Sequence, residues 1–204
     1  MGPFAPRSAA AMRPAEMPTG QNSGKPGVLG HPLTPERPQL QIVFAGAGHA
    51  NLVALDLLTK RPFDGHLTLV SSGAHAYYSG MVPGSIEGVY QEGAGTIPLA
   101  AFCARRGIGF LDGKILGLNG NQLVTEKGDV PFDLLIINTG AVARALAVKG
   151  QEHVLAAKPV EALFSGLASR LSAPGYVIAG AGAAGLEVAF ALRARSPSTP
   201  ITVV

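Results

Sequence analysis

The sequence holds a single cysteine, Cys103, and that scarcity excludes a good deal of chemistry. One thiol cannot make an intramolecular disulfide, a CxxC metal site or a redox-active cysteine pair, and no metal site is expected. Its plain role is a small apolar residue on a helix. Charge is scarce as well: 14% of the residues are charged and the net balance is +3. No stretch gathers Lys and Arg with aromatics, so nucleic-acid binding has no support. No run of about 18 apolar residues occurs, and no transmembrane helix is predicted. The continuous apolar core of a secretory signal is also missing.

Glycine is plentiful, 27 of 204 residues, in a composition 47% hydrophobic. That balance fits a soluble α/β protein with glycine turns, and the length allows one good-sized domain or two small ones. Residues 1–38 stand apart, mixing Pro, Ala, Gly, Ser and Met with little periodicity. Pro32, Pro35 and Pro38 break any regular element there. The stretch reads as a disordered Pro/Ala/Gly-rich arm. Arg7 and Arg13 in acid-poor surroundings keep a transit peptide as the alternative.

Order begins at Leu40. Ile42, Val43, Phe44 and Ala45 form a short apolar run, the pattern of a strand buried on both faces of a parallel sheet. Gly46, Ala47 and Gly48 follow at once, then a helix-compatible run to about Lys60. Strand, glycine turn and helix start make an anion site, because glycine lets backbone approach a pyrophosphate and the helix N–H groups point at it. The motif lacks the third glycine of GxGxxG, whose place is taken by Asn51, so alone it equally suits a buried glycine turn. His66–Val70 reads as a second strand. Its end carries Ser71 and Ser72 where an acidic reader of a ribose is usual.

Tyr77-Tyr78-Ser79-Gly80-Met81-Val82-Pro83-Gly84 reads as a folded loop, neither strand nor helix. A helix is expected from near Thr96, with Pro98 in its first turn, to Gly107. Asn119-Gly120 between apolar runs signals a hairpin. Phe132–Ile137 reads as a buried strand ending at Asn138-Thr139-Gly140, and Pro159–Leu171 as a packing helix. Tyr176–Ala179 then leads into a complete GxGxxG, Gly180-Ala181-Gly182-Ala183-Ala184-Gly185, followed by Leu186-Glu187 and an Ala/Leu helix. Ile201–Val204 closes that unit as a strand, the context in which the motif binds phosphate. The two turns are too far apart for one βαβ unit and too irregular for a solenoid repeat. Two nucleotide sites in tandem suggest an enzyme that passes electrons between two cofactors.

GAGHAN, YSGMVPG, FDLLIINTG and GAGAAGLE, in that order, resemble the two-dinucleotide-binding flavoproteins, the pyridine nucleotide-disulfide oxidoreductase family. The similarity is greatest to its type II NADH dehydrogenase-like branch, and YSGMVPG is similar to the flavoprotein domain fused to selenophosphate synthetase. It spans residues 39–204. It implies an α/β fold, a Rossmann-like FAD-binding domain followed by the start of a Rossmann-like NAD(P)-binding domain. Their expected extents are 39–145 and 173–204, with a connecting segment and helix over 146–172. It also implies FAD at Gly46, Gly48 and His49, with Tyr78, Ser79, Gly80 and Met81 near the flavin and Thr139-Gly140 at the passage between domains. Asn51, Ser71 and Ser72 are carried as cofactor-side positions that depart from the pattern. NADH or NADPH is implied at Gly180, Gly182 and Gly185, with Glu187 toward the nicotinamide. Glu187 alone would read as a charge on a solvated helix face, and His49 reads as a cofactor contact ahead of a catalytic group.

The implied reaction is hydride transfer from NAD(P)H to FAD and onward delivery to a quinone or other small acceptor. Catalytic residues are not assigned. The location implied is cytoplasmic, with membrane-peripheral attachment of a complete protein left open. Family members continue past the nicotinamide unit, so the sequence is expected to be a fragment or truncated product. The competing readings are a nucleotide-binding module without catalysis, an inactive truncated fragment, and a plain NAD-dependent dehydrogenase, the last disfavoured by the second, complete motif.

Overall fold

The computed structural model describes residues 39–91, 93–143 and 148–204; the arm expected over 1–38 and the domain boundary expected at 145 lie outside them. In chain order the elements are β1 (Leu40–Ala45), α1 (His49–Leu58), β2 (Gly65–Ser71), β3 (His75–Tyr77), α2 (Val82–Glu87), β4 (Thr96–Pro98), α3 (Leu99–Ala104) and β5 (Gly109–Asp112). β6 (Ile115–Asn119), β7 (Gln122–Thr125), β8 (Val130–Pro131), β9 (Leu134–Ile137), α4 (Val160–Leu167), β10 (Tyr176–Ile178), α5 (Ala183–Arg195) and β11 (Ile201–Val203) follow. Single 3-10 turns occupy Ser79–Met81, Gln151–His153 and Ala168–Arg170.

A parallel sheet in the order β5-β2-β1-β9 carries the fold. Its centre is the apolar run of β1, where alternate side chains serve opposite faces. Ile42 and Phe44 pack with Leu52 and Leu55 of α1 and Leu99, Phe102 and Cys103 of α3. Val43 and Ala45 pack with Val70 and with Leu123 of the antiparallel β6-β7-β8 sheet. Both faces are therefore covered, as the unbroken apolar run requires. Asp56 of α1 accepts from Lys60 and from the Arg106 guanidinium at 2.6 Å each, which ties α1 to the end of α3. Hydrogen bonds from Lys60 first, then Arg106, hold its carboxyl below the usual range. Burial pushes the Cys103 thiol up, keeping it protonated at neutral pH. β10 and β11 form a separate parallel pair flanking α5.

Two expectations are corrected. Thr96–Pro98 is a strand, pairing antiparallel with His75–Tyr77, and the helix begins only at Leu99 and ends at Ala104. Pro98 sits at φ −66°, ψ 110°, extended outside the helix, and it is the Leu99 N–H that bonds Ala74 O, at 2.9 Å. Tyr77–Gly84 is likewise not an irregular loop: Tyr77 ends β3, Ser79–Met81 is a 3-10 turn, and Val82–Glu87 is helical. Pro83 in the first turn costs no hydrogen bond, and Val82 and Ile86 share a face that buries. Smaller differences are that α1 closes at a Thr59 cap, just short of Lys60, that Phe132 precedes β9, and that β9 is an edge strand with Leu134 and Ile137 exposed where a buried strand was expected.

Leu55 is fully buried between α1 and the sheet. Leu55→Ala is expected to lower unfolding free energy by about 2–5 kcal/mol, read as a lower denaturant midpoint at unchanged slope.

Candidate functional site

The strand order places the chain reversal between β1 and β9: β2 and β5 lie on one side of β1, and β9 on the other. Such a reversal opens a crevice outside the strands' C-terminal ends, where α/β sheets take ligands. The first glycine turn stands at that end of the sheet, between β1 and α1. Gly46 has φ +88°, its N–H bonds Val70 O at 2.7 Å, and a Cβ there would run into the Asn138 carbonyl. The Gly48 N–H bonds Asn138 O at 3.1 Å, and a Cβ on Gly48 would collide with the Asn138 carboxamide. Both glycines are thus demanded by the end of β9. Asn51 is buried, and its Nδ2 donates to Gly46 O at 2.8 Å and Ala45 O at 3.3 Å. The side chain that stands in for the third glycine is turned under the turn and clamps it.

Exposed His49 is the first residue of α1, whose first-turn N–H groups have no acceptor within the helix. Its ring stacks on Tyr78, centroids 4.9 Å apart. Tyr78 is held by its N–H to Gly95 O at 2.8 Å, and its carbonyl accepts the Met81 N–H at 3.1 Å. Ser79 and Gly80 are exposed beside it and Met81 is half-buried. Thr139 and exposed Gly140, at φ +82°, continue from Asn138. Gly46, Gly48, His49, Asn51, Tyr78 and Thr139-Gly140 are thereby linked around one turn. Ser71 and Ser72 stand at the end of the neighbouring β2.

A carboxylate also stands there, and the sequence pattern did not reveal it. Asp112 ends β5 in register with Ser71, and its Oδ1 accepts the Gly73 N–H at 2.8 Å. Only the pairing of β5 with β2 brings it to that corner.

The second turn is built differently. Gly180, at φ +109°, donates to Val204 O at 2.7 Å. A Cβ on Gly185 would strike Gly180 O, so this glycine packs helix against turn. Gly182, the N-cap of α5, has nothing within 4 Å of where a Cβ would be. Its missing side chain leaves open space at the helix N-terminus, a place that fits a dinucleotide phosphate. Glu187 is exposed on α5, with no ion-pair partner among the described residues. The first turn fits a diphosphate through the exposed start of α1 at the chain reversal, with the Asn138 carboxamide lying over Gly48. Among the described residues no group of His, Cys, Asp and Glu could hold a metal ion, and no helix is long and apolar enough to cross a membrane.

Against known proteins, the family described as pyridine nucleotide-disulphide oxidoreductase matches residues 40–204. No curated protein matches the sequence. Solved structures do. The sulfide:quinone oxidoreductase from Aquifex aeolicus superposes with a TM-score of 0.62 at 21% identity, over 80% of this chain and 43% of its own. The water-forming NADH oxidase from Lactobacillus brevis, bound to NADH, gives 0.67 at 15% identity, over 80% and 39%. NDH2 from Plasmodium falciparum, in complex with NADH, gives 0.56 at 14% identity, over 74% and 36%. At these identities the likeness shows the fold, and the chain spans less than half the length of each.

The two motif glycines of α5 predict opposite outcomes. Gly182→Ala should leave the unfolding free energy within about 1 kcal/mol of the parent, because its φ of −73° and its surroundings accept a methyl group. Gly185→Ala should cost about 1–3 kcal/mol by overpacking. Chemical denaturation of both variants checks the pair.

Proposed function

The chain belongs to the pyridine nucleotide-disulphide oxidoreductase family, and on that premise we propose that it is the dinucleotide-binding part of an FAD-dependent NAD(P)H oxidoreductase of the type II NADH dehydrogenase-like branch. The observation that carries the reading is a glycine turn at the sheet's chain reversal joined to a second, open glycine turn in one compact unit. The first turn takes the FAD diphosphate and the second takes NADH or NADPH. FAD held there would supply two-electron chemistry, able to take a hydride from the nicotinamide and to yield the electrons to a second acceptor.

The chain's own residues position these groups. The first-turn N–H groups of α1 and α5 face anionic phosphates with the positive end of each helix dipole. His49 and Tyr78, stacked, wall the start of α1. The Asn138 carboxamide is a polar neighbour for the diphosphate above Gly48. Asp112 supplies the carboxylate that Ser71 and Ser72 do not, with Oδ2 left to accept from a ribose hydroxyl or the adenine amine while Oδ1 holds Gly73. Gly180, Gly182 and Gly185 shape the nicotinamide-nucleotide turn, and Glu187 lies two residues further along α5. With Cys103 the only cysteine of residues 1–204 and buried, electrons do not leave through a cysteine pair of this chain. The acceptor is a quinone or another small molecule, as the name of the Aquifex enzyme suggests by analogy.

The purified protein is expected to take up FAD, gaining the flavin's visible absorbance, and NADH or NADPH added without oxygen should bleach it. A protein that takes up no FAD contradicts the reading; bound flavin that both nicotinamides leave oxidised makes the chain a binding module. Asp112→Asn should weaken FAD binding on the order of tenfold, and Ser72→Ala less than about threefold, by fluorescence titration.

A further inference from the structure

We infer that α2 is a strut fixing the second glycine turn relative to the first, and that Arg195 is the positioning residue that locks it. In sequence α2 belongs with β3 and β4, inside the stretch that builds the parallel sheet. Its apolar side chains do not join that sheet's core. Val82 and Ile86 bury instead with Leu163 of α4 and Ala191 and Leu192 of α5, the helix that starts at the second turn. Just before α2, Tyr78 lies on His49 at the start of α1, and Tyr77 stacks on Phe164 of α4 at 5.9 Å between centroids. One short segment therefore touches the first turn's helix with its leading end and the second turn's helix with its body.

The lock is polar. A helix as short as α2 leaves its last carbonyls without partners inside it. Arg195, the last residue of α5, donates from Nη1 to Ile86 O at 3.0 Å, across 109 positions of sequence. A guanidinium at a helix C-terminus is favoured by the bond and by the dipole. Gly88 caps α2 in the left-handed region at φ +92°, and a Cβ there would come within 3.1 Å of the same Nη1. Gly88 thus turns the chain and makes room for the guanidinium. The apolar contact sets how α2 and α5 meet, and the arginine bond fixes their register.

The kinetic consequence rests on the proposed function. A donor carbon and an acceptor atom must be held within near-attack distance, and a misplacement of about 1 Å costs on the order of 100-fold in rate. The mechanical consequence is independent of it.

Both are tested with Arg195→Met, which keeps an apolar stem but removes the donor, and with Arg195→Lys, which restores one. Nitroxides on Asp64→Cys, in the bend between α1 and β2, and Ser198→Cys, in the turn between α5 and β11, sit at exposed polar positions, one beside the first turn's unit and one beside the second's. Pulsed EPR should give a narrow distance distribution in the parent, a broader one with Arg195→Met, and recovery with Arg195→Lys. In the flavin-loaded protein, Arg195→Met should slow anaerobic flavin reduction by NADH on the order of 10- to 100-fold, with FAD affinity changed less than about twofold and recovery again with lysine. An unchanged distribution in Arg195→Met overturns the inference. So does a loss of FAD affinity and thermal stability that accounts for the slower reduction. If neither NADH nor NADPH reduces the parent's flavin, the proposed catalysis falls, and the distance distributions still decide the strut.

Discussion

The close approach of β9 to the first glycine turn is the constraint on which the rest of the structure depends. The Asn138 N–H bonds Ala45 O at 2.8 Å while Asn138 O accepts the Gly48 N–H at 3.1 Å, so the end of one strand is laced to the end of its neighbour. Any side chain at position 46 or 48 would push β9 away. Because β9 enters on the side of β1 away from β2, the same lacing sets the start of α1 at the chain reversal of the sheet.

The two turns share a spelling but divide its duties differently. At the first, glycine admits neighbouring backbone at 46 and 48, while the third position accepts Asn51 because its amide bonds the turn's own carbonyls. At the second, the third position must be glycine to clear Gly180 O, and Gly182 faces open space. A single pattern thus covers a glycine needed for packing and one that no neighbour in the fold requires.

Much of the fold was legible because its signals are local. The apolar runs at Ile42–Ala45 and Leu134–Ile137 became neighbouring strands of the parallel sheet, the first central and the second at its edge, and Asn119-Gly120 turned the hairpin with Gly120 at φ +54°. Thr96–Pro98 and Val82–Glu87 were not legible, since each is decided by a partner elsewhere: His75–Tyr77 pairs with the first, and α5 buries the second. Asp112 and Arg195 escaped for the same reason. Neither lies in a motif, and each gains meaning only when topology sets it beside Gly73 or Ile86. The stacking of His49 on Tyr78 likewise joins two stretches that the sequence places in separate motifs.

The central claim is that one compact unit carries two separate dinucleotide sites. Calorimetric titration of NAD+ and, separately, of NADP+ into the FAD-saturated protein tests it most directly. The account predicts one further binding event per chain, with FAD retained throughout. Release of FAD in proportion to the nucleotide bound would show a single shared site and contradict it.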